Sequence, residues 1–255
     1  MKNLTLVIDI GNTTTIYGVF DNKTFIKSLI TLTHDHSESE KTKLLDKFLY
    51  DNDFQISKGM IFSVVPVESI VVQKIVEKVT NVKLDVFDPK GYKNLETSVD
   101  DPKEIGADLV ADIVGAKALY GHPVVIIDLG TVNKLLYVNK NGVFTGCSFF
   151  PGMQTSLSLF NEKTALLPEI EEFKTSPGKL GTNTLDAMNH GVYWSVVSYI
   201  ERVQREFNKD AKLIITGGNC QIIAGEIKNR IIDPELTIKG MNIIFMELEK
   251  WIANN

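Results

Sequence analysis

The chain has 255 residues, of which 44% are hydrophobic and 23% charged, and its net charge is −5. This composition is typical of a globular protein with enough apolar material for one or two cores. The mildly acidic charge argues against broad attraction to nucleic acid or to anionic lipid, so we expect neither a nucleic acid nor a membrane as partner.

Two features predict a cytoplasmic protein. The first apolar run ends at Asp9, too early for a signal-peptide core, and no later run approaches the roughly 18–20 apolar residues of a membrane helix. The two cysteines, Cys147 and Cys220, have neither CxxC nor zinc-type spacing, so we expect free thiols.

The first half begins with a strand and a hairpin. The strand Leu4–Ile8 ends at Asp9-Ile10-Gly11-Asn12, and Asp21-Asn22-Lys23 has turn chemistry. The predicted elements after the first strand are strands over 14–20 and 24–31, a helix over 41–50 capped by Ser37 or Ser39, a strand over 60–65, a helix over 67–79 and a short strand over 83–87.

A further helix is predicted from Pro102 to about Tyr120. Asp101 can cap it, Pro102 suits the first helical position and Glu104 completes a capping box. Asp108 then lies beyond the first turn, where Asp is unfavourable, and Asp112 adds a like charge on the same face. A solvated polar face explains this pattern, and so does a ligand-binding role with Asp108 as a general base.

The second half repeats the opening pattern. The apolar strand 124–127 is followed by Asp128-Leu129-Gly130-Thr131 and by another strand–turn–strand. The predicted elements are strands over 135–138 and 143–150, a long loop or short helix to about Asn183, a long helix from Asn183 or Thr184 to about Phe207, a strand over 213–215 before Thr216-Gly217-Gly218, and a helix over 241–252.

The two Asp-x-Gly turns lie about half a chain length apart, which predicts a duplicated domain. Glycine allows close backbone approach to a ligand, N–H groups at such a turn can bind phosphate oxygens, and an Asp at a strand end can bind Mg²⁺. Two turns that face each other would hold a polyphosphate, whereas the plainer interpretation is two ordinary β-hairpins. The phosphate-loop, dinucleotide-binding, zinc-protease and nucleophile-elbow motifs do not occur.

The two turns and the late Gly-Gly resemble the actin/hexokinase/acetate-kinase superfamily, and the order of further segments resembles type III pantothenate kinases. The segments are DIGNTTTIYGVF (9–20), FSVVP (62–66), GADLVADIVGA (106–116), DLGT (128–131), TALLP (164–168), GTNTLDAMNHG (181–191) and TGG (216–218). The resemblance implies an α/β fold of duplicated actin/ribonuclease-H-like domains, 1–118 and 119–255, each with a five-stranded mixed sheet flanked by helices, and an ATP cleft between them.

The resemblance also implies an activity and its participants. Such enzymes phosphorylate pantothenate with ATP in the first step towards coenzyme A. They are homodimers that need Mg²⁺ and a monovalent cation, K⁺ or NH₄⁺.

The resemblance assigns roles to individual positions. Asp108 becomes the catalytic proton acceptor, Asp128 the monovalent-cation ligand and Asp9 the Mg²⁺ partner. The implied ATP contacts are Asp9, Ile10, Gly11, Asn12, Thr13, Thr14, Thr15, Ile16 and Thr131. The implied pantothenate contacts are Val99, Gly106, Ala107, Asp108, Leu109 and Thr184. The resemblance leaves open whether Thr184 contacts the substrate of its own subunit or reaches across a dimer interface.

Several positions depart from the common family pattern. Leu109 stands where Arg is frequent, Val99 where Tyr is frequent, Val132-Asn133-Lys134 where small or hydroxyl residues are usual, and Gly146-Cys147 where Gly-Gly is usual. Lys134 could supply charge to a phosphate or point to solvent. Two alternatives to pantothenate kinase therefore stay open: a catalytically weak regulatory or nucleotide-binding relative, and a kinase of the same fold with another small substrate.

Overall fold

A computed structural model describes residues 4–170, 173, 178, 180–207 and 210–254. Contacts divide the chain into two units. Unit 1 comprises residues 4–95, 100–115 and 237–254, and unit 2 comprises residues 96–99 and the described part of 116–236.

Unit 1 is built on a mixed sheet of five strands in the order β3-β2-β1-β4-β5. The strands are β1 (Leu4–Ile10), β2 (Thr14–Asp21), β3 (Thr24–Leu32), β4 (Ile56–Ser63) and β5 (Asp85–Val86). β1, β2 and β3 form an antiparallel meander, while β4 and β5 run parallel to β1. The parallel pairing brings the carboxyl ends of β1 and β4 to the same edge of the sheet.

Helices α1 (Glu38–Asp51) and α2 (Pro66–Thr80) pack on one face of this sheet. Successive strand residues point to opposite faces, so Leu6, Ile8 and Ile10 join the core with these helices. The other face includes Val7 and its partner Gly18, where Ile238 of helix α6 (Leu236–Asn254) lies in close contact. Asp9 shares this second face, because it is two residues from Val7.

Helix α1 begins at Glu38, three residues before the predicted start, and Ser37, one of the two predicted caps, forms a capping box with Glu40. The Ser37 hydroxyl accepts a hydrogen bond from the Glu40 amide, and the Glu40 carboxylate accepts one from the Ser37 amide.

Helix α3 (Ala107–Tyr120) begins later than predicted. Asp101 and Pro102 do start a helical turn, but it is a separate 3-10 turn over Pro102–Glu104. The expectation that Asp108 lies beyond the first turn of the helix is therefore wrong. Asp108 lies in the first turn of α3, where the helix dipole favours a carboxylate and an aspartate carries little penalty.

The sheet of unit 2 has the order β10-β9-β6-β7-β8. Its strands are β6 (Val124–Leu129), β7 (Val132–Val138), β8 (Phe144–Pro151), β9 (Lys212–Thr216) and β10 (Arg230–Ile232). β6, β7 and β8 are antiparallel and β9 and β10 are parallel to β6, so the sheet reproduces the topology of unit 1 strand for strand. This agreement confirms the predicted duplication and the predicted fold class.

Helices α4 (Met153–Lys163) and α5 (Thr184–Phe207) cover one face of the second sheet. Val125, Ile127 and Leu129 join the core with them. Asp128 points to the opposite face, as Asp9 does in unit 1 relative to α1 and α2.

The predicted domains 1–118 and 119–255 stay a prediction, and contacts group residues 96–99 of the first predicted domain with unit 2. The main chain passes between units at 115/116, close to the predicted boundary, but residues 237–254 group with unit 1. Close packing explains this grouping, because a Cβ on Gly240 would lie 1.9 Å from the Ala111 carbonyl oxygen. Within the described ranges, no helix is both long and apolar enough to cross a membrane.

Candidate phosphate and carboxylate sites

The first Asp-x-Gly turn joins β1 to β2. Asp9 is half-buried one residue before the strand ends, and Asn12 and Thr13 are exposed at the tip of the turn. The Gly11 amide donates to the Thr14 carbonyl oxygen over 3.0 Å, which closes the turn. The turn therefore presents a strand-end carboxylate and short polar side chains on a fixed backbone.

Thr33, which follows β3, fixes this turn from the side. Its amide donates to the Thr13 carbonyl oxygen over 2.9 Å, and its hydroxyl donates to the Gly11 carbonyl oxygen over 2.8 Å. Thr15 adds a buried hydroxyl contact to Thr33 at 3.1 Å. The register of the meander thus determines the conformation of the turn.

Lys41 of α1 supports Thr33 in turn. Its ammonium group donates to the Thr33 carbonyl oxygen and to the Glu68 carboxylate, each over 2.5 Å. The Lys41 and Glu68 side chains are only 3% and 12% exposed. A buried ion pair therefore lies directly behind the first turn.

Asp108 follows Gly106 at the start of α3. Its Oδ1 accepts a hydrogen bond from the Leu109 amide over 2.9 Å, and a Cβ on Gly106 would lie 2.7 Å from that oxygen. The absence of a side chain at position 106 thus gives the carboxylate its place over the helix start. Ala107 and Leu109 are buried, while Asp108 is partly exposed.

Asp112, one turn further along α3, is fully buried. It accepts a hydrogen bond from the Thr237 hydroxyl of α6 over 2.6 Å. The predicted like-charge pair thus consists of one partly exposed and one buried carboxylate, and the buried one helps to join α3 to α6.

The second Asp-x-Gly turn joins β6 to β7 and carries Asp128, Gly130 and Thr131. Asp128 is 7% exposed, whereas Thr131 is exposed. The Thr131 carbonyl oxygen accepts hydrogen bonds from the Gly152 amide over 3.0 Å and from the Thr155 hydroxyl over 2.7 Å. Thr131 therefore has a fixed backbone and an exposed side chain.

Two glycines pack against this turn. A Cβ on Gly152 would lie 2.2 Å from the Gly130 carbonyl oxygen, and a Cβ on Gly217 would lie 2.3 Å from Asp128 Oδ1. Gly217 also has a φ of +86°, which favours glycine. The Pro-Gly and Thr-Gly-Gly segments of the sequence thus allow close packing around Asp128 and its turn.

Lys134 is the partner of Asp128 across the strand pair. The register of β6 and β7 places the two residues directly opposite each other. Lys134 Nζ lies 2.5 Å from Asp128 Oδ2, and the two side chains are 19% and 10% exposed. Lys134 therefore forms an ion pair with Asp128 and does not point to solvent. The residues at Asp128 do not fit a further cation, because an ammonium group already neutralises the carboxylate.

Cys220 is buried near the same carboxylate. Burial raises the pKa of its thiol, and the negative charges of Glu235 and Asp128 raise the pKa further, although two backbone hydrogen bonds oppose them. A raised pKa keeps the thiol protonated and unreactive. Cys220 is therefore a packing residue, and its thiol is free, as predicted.

The remaining predicted contacts lie at the edges of elements in unit 2. Thr184 is exposed at the first position of α5, where Asn183 and Asp186 form a reciprocal cap. Val99 is half-buried at the end of a segment that pairs with Phe144 of β8. Val99 and Thr184 thus belong to unit 2, whereas Gly106 and Asp108 belong to unit 1.

Two of the implied ATP contacts have fully buried side chains, Ile10 and Thr15. Thr14 and Ile16, at the start of β2, are half-buried. We expect Ile10 and Thr15 to shape the first turn from within, while Gly11, Asn12 and Thr13 form its surface.

A search of the described residues finds no group of three or more His, Cys, Asp or Glu side chains that could hold a metal ion. A depression of about 530 Å³ lies between Tyr50 of α1, Ile56 of β4 and Thr80 of α2. It is at the amino end of β4, whereas Asp9 is beside the carboxyl end, so it is not part of the first turn.

The sequence predictions missed Lys41 and left the role of Lys134 open. Lys41 lies at helical spacing from Leu45, Phe48 and Leu49, so its position on the apolar stripe of α1 was a signal that it is buried. The role of Lys134 stayed open because the sequence alone did not give the register of the β6–β7 pair. A tight β6–β7 turn at Gly130 sets Asp128 opposite Lys134, and that pairing could have been predicted.

Comparison with known proteins identifies a matching family and a similar curated protein. The model of a family described as type III pantothenate kinase matches residues 5–206. A curated type III pantothenate kinase of Halalkalibacterium halodurans is 30% identical over 249 residues, covering 94% of this chain and 98% of that protein.

Solved structures share the fold at lower identity. A putative Baf family transcriptional activator from Campylobacter jejuni has a TM-score of 0.61 at 20% identity, covering 96% of this chain and 99% of that one. An activator of the 2-hydroxyisocaproyl-CoA dehydratase from Clostridium difficile, solved with bound ADPNP, has a TM-score of 0.58 at 12% identity, covering 99% and 98%. At these identities the likeness concerns the fold alone.

Proposed function

Because the chain belongs to the type III pantothenate kinase family, we propose that it transfers the γ-phosphoryl group of ATP to the primary hydroxyl of pantothenate. The product is 4′-phosphopantothenate, formed in the first step towards coenzyme A. The observation that carries the proposal is the family match along residues 5–206, which includes Asp9, Asp108 and Asp128.

In this proposal the first turn binds the phosphates of ATP. Asn12 and Thr13 are exposed on a turn that hydrogen bonds hold in place, and backbone N–H groups at such turns bind anions well. The backbone hydrogen bonds from Thr33 hold this surface before the nucleotide arrives, so little reorganisation is needed on binding. Thr131, exposed on the second turn, is a further nucleotide contact.

Asp9 is the residue that would hold Mg²⁺. Its carboxylate and the side-chain oxygens of Asn12 and Thr13 are hard oxygen donors of the kind that Mg²⁺ prefers. One carboxylate is enough, because Mg²⁺ in kinase sites is held largely by substrate phosphates and water. When bound, the ion neutralises charge on the phosphates.

Asp108 is the proposed proton acceptor. A carboxylate that is partly exposed, and held over the helix start by Gly106, can orient the pantothenate hydroxyl and take its proton as the oxygen attacks phosphorus. Ala107 and Leu109, both buried, fix the helix start rather than present polar groups.

Thr184 and Val99 are the proposed pantothenate contacts from unit 2. Thr184 is exposed at the amino terminus of α5, which is a favourable position for a polar contact to substrate. We also propose that the protein is a homodimer. The monovalent cation implied by the resemblance is not part of this proposal, because Lys134 already neutralises Asp128.

A coupled ADP-release assay tests the function. The purified chain is given ATP, Mg²⁺ and pantothenate, and matched reactions omit pantothenate or replace it with other small hydroxyl or carboxyl compounds. We expect ADP release that depends on pantothenate and saturates with it.

Each other outcome identifies an alternative. Release that depends on another acceptor, but not on pantothenate, would indicate a kinase of the same fold with a different substrate. ATP binding by calorimetry, with no acceptor-dependent release, would indicate a nucleotide-binding or regulatory relative. Either result would overturn the proposal.

A further inference from the structure

The two strand-end aspartates occupy equivalent places but have different partners. Asp9 faces Ile16 across the β1–β2 pair, and Asp128 faces Lys134 across the β6–β7 pair. Because the two sheets have the same topology, the lysine is a difference between two copies of one arrangement. The β6–β7 copy thus has a positively charged side chain opposite its aspartate, where the β1–β2 copy has Ile16.

The ion pair is well enclosed. Lys134 and Asp128 lie 2.5 Å apart with side chains 19% and 10% exposed, so solvent screens them little. Gly217 closes the other side of the carboxylate, because a Cβ there would lie 2.3 Å from Asp128 Oδ1. One oxygen thus contacts the ammonium group, and the other lies against the backbone.

We infer that the Lys134 ammonium group is a built-in monovalent cation, which makes the protein independent of added K⁺ or NH₄⁺. A lysine side chain ends in a compact single positive charge with three hydrogen-bond donors, which is chemically a substituted ammonium ion. Since a buried carboxylate needs a neutralising partner, Asp128 requires either this lysine or a bound cation. Because the lysine is covalently attached, no ion has to be recruited from solution.

The inference predicts that Lys134→Ala creates a cation site. The variant removes the charge and opens the space beside Asp128, so K⁺ or NH₄⁺ can take the vacated place. Wild-type protein should melt at the same temperature in potassium chloride and in choline chloride of equal ionic strength. Lys134→Ala should melt lower in choline chloride, and a K⁺ concentration ten times its Kd should raise the melting temperature by about 3–6 °C.

Three control variants separate this effect from general effects of salt. Lys58→Ala removes the same charge from an exposed pair, in which Lys58 Nζ lies 2.6 Å from the Glu249 carboxylate, and should show no preference for K⁺ over choline. Lys134→Arg keeps a positive charge next to Asp128 and should also be indifferent to K⁺. In Lys134→Ala/Asp128→Asn, the response to K⁺ should disappear.

The activity measurement rests on the proposed function. Wild-type kinase rates should be equal within twofold in potassium and choline salts, whereas the rate of Lys134→Ala should rise at least tenfold with K⁺. Failure to phosphorylate pantothenate in any salt would remove the proposed function, and the melting measurements would still decide the present inference.

Two results would overturn the inference. One is a wild-type protein that is stabilised or activated several-fold by K⁺ relative to choline. The other is a folded Lys134→Ala variant with no response to K⁺ or NH₄⁺. If Lys134→Ala does not fold, Lys134→Gln and the wild-type salt comparison provide the same test.

Discussion

Gly217 lies against Asp128 so closely that a Cβ at position 217 would stand 2.3 Å from Asp128 Oδ1 and 2.6 Å from the Leu129 amide nitrogen. The backbone at Gly217 also has a φ of +86°. The conformation of the Thr-Gly-Gly segment and the position of the carboxylate therefore depend on each other.

This relationship predicts the effect of Gly217→Ala. The new methyl group must displace either Asp128 or the end of β9, and the positive φ adds strain, so we expect a loss of about 1–3 kcal/mol in the free energy of unfolding. Denaturant unfolding measures this loss. Gly218→Ala is the matched control, because no atom lies within 4 Å of a Cβ at position 218, and it should change stability by less than about 0.5 kcal/mol. Equal effects of the two variants would contradict the account.

A second prediction concerns Asp108. Asp108→Asn keeps the size of the side chain but removes the proton acceptor, so kcat for pantothenate phosphorylation should fall by about 10²–10⁴. The melting temperature should hardly change, since the side chain is partly exposed in the first turn of α3. Asp100→Asn, at an exposed position outside any helix or strand, should retain wild-type kcat. Near-normal turnover of Asp108→Asn would remove Asp108 from the mechanism.

The buried ion pair behind the first turn leads to a third prediction. Lys41→Met leaves Glu68 without its ammonium partner at a side chain that is 12% exposed, so we expect a loss of about 3–5 kcal/mol in the free energy of unfolding. The KM for ATP should also rise, because Lys41 supports Thr33 and Thr33 holds the turn.

The exposed pair of Lys47 and Asp51, with side chains 73% and 49% exposed, provides the comparison. Lys47→Met should cost only about 0.3–0.5 kcal/mol and leave the KM for ATP unchanged. Adding Glu68→Gln to Lys41→Met should restore part of the lost stability, because it removes the uncompensated charge. No restoration would show that the charge of Glu68 is not the source of the loss.

A fourth prediction is a pH dependence of stability. Burial raises the pKa of Tyr17 to about 12. The folded state therefore keeps a proton that the unfolded chain loses near pH 10, so this contribution is present below pH 10 and is lost as the pH rises towards 12. The loss attributable to Tyr17 is on the order of 3 kcal/mol.

Tyr17→Phe isolates this effect. The variant should unfold with a shallower dependence of stability on pH between 10 and 12 than wild-type protein, measured by denaturant unfolding across that range. Burial also raises the pKa values of Tyr92 and Tyr120, so some dependence should persist in the variant. Identical slopes for the two proteins would contradict the prediction.

Local sequence signals predicted much of the fold. The hairpin of β2 and β3 was predicted to within a residue, because Asp21-Asn22-Lys23 has turn chemistry and segments typical of strands flank it. Helix α1 is capped by Ser37, one of its two predicted caps. The repeated Asp-x-Gly pattern correctly predicted two sheets of one topology.

Other features depend on packing that a local pattern does not reveal. Helix α6 begins at Leu236 rather than Met241, because Gly240, which looks like an interruption, is the residue that lets α6 contact Ala111. Strand β10 has only three residues and joins the sheet through β9. The partner of buried Lys41 is Glu68, which lies 27 residues away in sequence, so no local spacing indicates that ion pair.

Phosphorus NMR of a reaction that contains ATP, Mg²⁺, pantothenate and the purified chain tests the central claim most directly. The account predicts a phosphomonoester resonance that grows in equal amount with ADP and is absent without pantothenate. ADP accompanied by inorganic phosphate, with no phosphomonoester, would mean that the γ-phosphoryl group goes to water and would contradict the claim.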